Sequence, residues 1–190
     1  MKTITTLLLA LLLATSASAI IDPDPDHIGL YFDLEADMFC IDGVYPLEMK
    51  DLYLILTNPS FEYVYGFEAG LSWEGLVDVL SVEINNPQAL NVGTTTNLIV
   101  GFGTPLPTEP ATLLATWQVL YLEMEGDVVF FDLHGSEPSS IDPLYPAVVI
   151  GDGEVMALGT SGGTSPEAQI NWCGSPVDRV SFDRSKSLYR

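Results

Sequence analysis

Asp22, Asp24 and Asp26 stand at alternate positions, and Asp33 falls at the twelfth place of the same frame. That spacing is the one with which a calcium loop gathers hard oxygen ligands, so calcium is the one cofactor this sequence leaves open. The sixth place holds His27 rather than glycine, and Pro23 and Pro25 favour an extended chain, so a solvated acidic lead-in is the competing reading. Gly159-Thr160-Ser161-Gly162-Gly163 spells the serine-hydrolase elbow, but that elbow needs a strand, a sharp turn, a helix and a later histidine, and no histidine follows Ser161. Paired carboxylates can run a glycosidase. With 24 acids between residues 20 and 175, some pair falls at a tempting spacing by composition alone. No catalytic residue is assigned, and the chain is read as non-enzymatic.

Cys40 and Cys173 are the only cysteines. His27 and His134, the only histidines, sit in no cysteine-hydrolase motif, so a catalytic thiol lacks its base. In an exported chain a disulfide staple between the two ends of the domain is expected. Among the aromatics, Phe61, Tyr63, Tyr65, Trp73, Trp117 and Trp172 offer flat apolar faces on which a sugar ring can stack. Trp73 and Trp117 lie in apolar phases and belong to a core, which leaves Tyr63 and Trp172 as the carbohydrate-binding candidates.

Export is read from the first residues. Lys2 supplies a positive start, Leu7 to Ala14 a short apolar run, and Ala17-Ser18-Ala19 a cleavage site, so residues 1–19 are expected to be a signal peptide cut after Ala19. No apolar run approaches the roughly 20 residues that cross a bilayer as a helix. Residues 20–26 form the acidic, proline-rich lead-in, 27–175 the folded domain, and 176–190 a basic C-terminal tail. Lys50 is the single Lys or Arg against the 24 acids of residues 20–175, a charge of 1 − 24 = −23. Residues 176–190 carry Arg179, Arg184, Lys186 and Arg190 against Asp178 and Asp183, or 4 − 2 = +2. A body so acidic argues against nucleic-acid phosphates and anionic membrane surfaces as partners.

The elements that must position these residues read as strands. Tyr65, Phe67, Ala69, Leu71 and Trp73 alternate with small or polar residues, and Leu113, Ala115, Trp117, Val119 and Tyr121 repeat the pattern. Short runs rich in β-branched, aromatic or aliphatic residues follow at 28–34, 52–57, 79–84, 98–102, 128–133, 147–150 and 155–158, for about nine strands in all. Gly126-Asp127 and Asp152-Gly153 supply turns that predict hairpins, and prolines at 105, 107 and 110, between these runs, mark loops and edges. Residues 86–92 are the only stretch with helical character. The fold expected is all-β, an antiparallel β-sandwich of jelly-roll or immunoglobulin-like type.

Gly66-Phe67-Glu68-Ala69-Gly70-Leu71-Ser72-Trp73, with Val79 to Glu83 after it, resembles the GFEF-x-L-x-Y and L-x-V-x-S-V-E stretches of cohesin-type domains. Leu113 to Val119 is similar to their LATLTFKV strand, and the likeness runs from about Lys50 to Leu133. The resemblance implies a jelly-roll sandwich, related to some carbohydrate-binding modules, that engages a protein through a sheet face in extracellular assemblies. It carries over no individual binding residue. The partner expected is therefore an extracellular protein, with a polysaccharide as the alternative.

Overall fold

The computed structural model describes residues 24–161 and 166–174. The strands are β1 (His27–Tyr31), β2 (Cys40–Ile41), β3 (Met49–Thr57), β4 (Tyr63–Glu74), β5 (Val77–Ile84), β6 (Ala89–Asn91), β7 (Asn97–Pro107), β8 (Ala111–Tyr121), β9 (Val129–His134), β10 (Ala147–Val149), β11 (Val155–Ala157), β12 (Gly159–Thr160) and β13 (Ala168–Ile170). A 3-10 turn at Gly151–Gly153 joins β10 to β11. The smaller sheet has the order β12-β1-β3-β8-β5, and the larger runs β11-β10-β4-β9-β13-β2. β10 and β9 share one edge of β4, pairing with Gly66–Glu68 and Gly70–Glu74, while β7 lies along its other edge and carries β6 outside it.

Two alternating faces make the core. Leu52, Leu54, Leu56, Trp117, Val119 and Tyr121 of the smaller sheet meet Phe67, Ala69, Leu71, Leu98, Val100 and Phe131 of the larger in one cluster. The indole N–H of Trp117 is satisfied inside this layer by donating to the Thr95 carbonyl at 2.7 Å. A buried ring can keep a polar handle only on such terms.

All nine expected strands are present, and the sandwich is as expected. Several details differ. Residues 86–92 hold the short strand β6 rather than helix, because Ala89, Leu90 and Asn91 pair with Phe102, Gly101 and Val100. The turn at Glu125–Asp127 does not close a hairpin: β8 and β9 belong to opposite sheets, so this segment crosses the sandwich. Pro105 and Pro107 lie within β7, whose Leu106 and Pro107 pair with Val64 and Tyr63. A register shift between Val64 and Gly66 also moves Tyr65 out of the core phase. Val64 is buried in its place and Tyr65 is 40% exposed, the usual re-aiming effect of an irregularity in a ladder.

Gly66 explains why this passage needs glycine. A Cβ there would stand 2.4 Å from the Val100 carbonyl oxygen, so any side chain would force β4 and β7 apart.

Candidate functional site

The outer face of the smaller sheet follows from its register. Because Leu52, Trp117 and Val82 turn inward, their neighbours present the rows Tyr53–Thr116–Glu83, Asp51–Gln118–Ser81 and Met49–Leu120–Asp78 to the outside. Leu80, in the bulge between Val79 and Ser81, is 45% exposed, and Met49 is 57% exposed. The face thus mixes aliphatic contacts with the carboxylates Asp51, Asp78 and Glu83, and Tyr53 is its only aromatic among the rows given.

At one end of this face a groove of about 420 Å³ opens between the start of β3 and the segment around β2. Phe32, Ile41 and Val44 form its apolar wall, with Asp42, Lys50 and Asp51 at its polar margin. Lys50 pairs with Glu48 at 2.8 Å. Burial, then the nearby charges of Asp51 and Asp33, raise the pKa of Tyr53 on the groove's lining.

The aromatic candidates are not brought together. Tyr63 pairs with Pro107 at one end of β4, whereas Trp172 follows β13, whose Ile170 pairs with Val129 near the Glu74 end. Twelve residues of β4 put roughly 35 Å between those ends at about 3.3 Å per residue. Tyr63 and Tyr65, both exposed, are the aromatics that share a location, and Trp172 is half-buried. Trp117 is wholly buried, and Trp73 and Phe61 are partly buried against the core.

Each acidic candidate has its own place. Asp22 lies outside the described residues, and Asp24 is exposed. Asp26 accepts hydrogen bonds from the Ser60 amide at 2.6 Å and the Ser60 hydroxyl at 2.9 Å. Asp33 accepts from the Asp37 and Met38 amides at 3.0 Å each, closing the turn after β1. Among the described residues no group of three His, Cys, Asp or Glu side chains is arranged to hold a metal ion.

Cys40 and Cys173 form a disulfide with their Cα atoms 5.4 Å apart. Ile170 and Gln169 of β13 run parallel to Ile41 and Cys40 beside it. Two polar hubs were not anticipated from the sequence. The buried carboxylate of Glu68 accepts from the Ser140 amide at 2.8 Å, the Ser136 hydroxyl at 3.2 Å and the Ser140 hydroxyl, pinning the 135–146 loop over β4. Asn171, at φ +60°, spans three segments: its carbonyl oxygen accepts from the Val44 amide, and its amide nitrogen donates to the Val44 carbonyl and the Tyr121 hydroxyl. Glutamate inside an alternating strand is the one sequence signal that pointed to the first hub; nothing local marks the second, whose partners are as far as 127 residues apart.

No family model matches the chain, and no curated protein matches it. Solved structures do. The sixth cohesin of scaffoldin B from Acetivibrio cellulolyticus, determined in complex with a mutant Cel5 dockerin, aligns at a TM-score of 0.51 with 7% identity, over 76% of this chain and 96% of that one. The cohesin module of a Clostridium perfringens family 33 glycoside hydrolase gives 0.48 with 11% identity, over 70% and 89%. The human F-spondin reeler domain gives 0.35 with 12% identity, over 74% and 91%. The likeness to the scaffoldin cohesin, with the two-sheet architecture above, gives the chain a cohesin-like β-sandwich fold.

Proposed function

We propose that this chain is a non-enzymatic extracellular module that attaches to a protein partner through the outer face of its smaller sheet. The observation that carries the reading is that face itself: Leu80, Leu120 and Met49 set among Asp51, Asp78 and Glu83, with little aromatic surface. Aliphatic contacts interspersed with carboxylates suit a protein surface, where the apolar groups supply affinity and the acids select a basic partner. The likeness to a cohesin held in complex with a dockerin supports a protein as the partner. The Cys40–Cys173 bond supports an oxidising compartment, in keeping with the signal-like residues 1–19.

The test is affinity capture from the secreted proteins of the producing organism, with the wild-type chain and Leu80→Glu as baits. A specific protein retained by the first and lost by the second is expected. A folded wild-type bait that retains nothing specific overturns the reading.

Tyr63 and Tyr65, adjacent and exposed on the larger sheet, favour one alternative, a carbohydrate-binding module. A glycan array answered by the wild-type chain and silent for Tyr63→Ala would establish it instead.

A further inference from the structure

β3 is paired on both sides for only part of its length. β8 accompanies it down to Met49, opposite Leu120, but β1 ends where Tyr31 meets Tyr53. There the chain turns away, the Phe32 amide donating to the Met38 carbonyl at 2.6 Å. No other described strand pairs with Met49–Leu52 on that side. The Glu48 carbonyl accepts from the Tyr121 amide, so strand alternation turns the N–H and C=O groups of Lys50 and Leu52 toward β8 and those of Met49 and Asp51 toward the open side. That side is the groove, and an open strand edge beside an apolar wall is a place where an extended segment can add as a further strand.

One segment of this chain is delivered to that place. β13 runs parallel to β2, the Asn171 amide donates to the Ile41 carbonyl at 2.7 Å, the Cys173 amide donates to Asp42 at 3.3 Å, and the disulfide ties Cys173 to Cys40. Ile41 and Asp42 are themselves groove wall and groove margin. The described chain therefore ends at the mouth of the groove, and residues 175–190 follow it in sequence. Five or six extended residues cover roughly 15–20 Å at about 3.3 Å each, enough to pass along it. Their charge also fits: Arg179, Arg184, Lys186 and Arg190 follow a body that holds 24 acids and Lys50 alone. Val180 and Phe182 alternate with Arg179 and Ser181, so an added strand would set aliphatic and aromatic side chains on one face and a guanidinium on the other.

We propose that residues 175–190 bind back on their own domain, pairing with the free edge of β3 at Met49 and Asp51 and filling the groove between β3 and β2. Val180 and Phe182 meet the wall of Phe32, Ile41 and Val44, and the arginines meet Asp42 and Asp51. The inference does not depend on what the sheet face binds.

Amide hydrogen exchange of the full chain, compared with the full-length double variant Arg179→Glu/Arg184→Glu, tests it. The Met49 and Asp51 amides should exchange about tenfold faster in the variant, and about 0.5 M salt should move the wild type toward it. The Lys50 and Leu52 amides, which face β8, should stay unchanged and so report that the variant is folded. A synthetic peptide of residues 175–190, added to the variant, should restore protection at the same two amides. Equal exchange in the two chains at low salt overturns the proposal. So does wild-type protection that rises with protein concentration, because a second copy would then be the donor.

Discussion

At the scale of single residues, the side chains that do most in this molecule join segments. Tyr121 is fully buried, and its hydroxyl lies 2.7 Å from the Met124 and Asp127 carbonyls while accepting from Asn171. Burial raises its pKa, the Asn171 hydrogen bond opposes that shift, and Asp127 and Glu123 add to it. A hydroxyl whose folded pKa lies above its unfolded value of 10.0 holds its proton longer in the native state. Its contribution is complete below about pH 10 and is lost as the pH rises from there through the folded pKa. Stability measured by urea titration should fall as the pH rises above about 10, and Tyr121→Phe should fall less steeply. At neutral pH the same variant should cost about 1 kcal/mol, since it removes the one hydroxyl proton shared between the Met124 and Asp127 carbonyls and the oxygen that accepts from Asn171.

Among the elements, β4 carries the most. It pairs with β7 on one edge and with β9 and β10 on the other, and Gly66 lies where β7 and β10 both meet it. Gly66→Ala should lower the midpoint of chemical unfolding by an amount equivalent to about 2–4 kcal/mol, because the clash is with backbone and no rotamer relieves it. A melting curve unchanged from wild type would show that β4 and β7 can separate there at no cost. This strand also shows where sequence could be read and where it could not. Phe67, Ala69 and Leu71 were legible as a core face because period-two alternation reports burial directly. Tyr65 was misplaced because a register shift is a property of two strands at once, visible in neither alone. β2, β12 and β13 escaped for a related reason: unlike the equally short β10 and β11, they do not flank a glycine turn as a pair of aliphatic runs, and tertiary pairing alone defines them. The face made of Leu80, Leu120 and Gln118 was equally hidden, since it assembles β5 and β8 only once their register is known.

For the whole molecule, the disulfide closes the described fold between residues 133 positions apart. In the chain-entropy model such a closure contributes on the order of 5 kcal/mol, and reduction should lower the melting temperature in a scan of the intact chain with and without reductant. The pairing itself was readable, because two cysteines near the ends of a domain permit no other intramolecular bond. The same covalent bridge makes the molecule a tether with a hard stop. A pull applied between the lead-in before His27 and the segment after Cys173 runs from β1 through residues 32–39 into Cys40 and crosses directly to Cys173. Only β1 and the short stretch after it can be drawn out, a gain of roughly 45 Å at about 3.5 Å per residue, while everything between the two sulfurs is mechanically short-circuited. In a single-molecule stretching experiment the oxidised chain should show that small step alone, and reduction should release a further length on the order of 450 Å. Under tension the molecule would lose β1, and with it the partner of β12, and keep β3, β8 and β5, whose rows make the outer face.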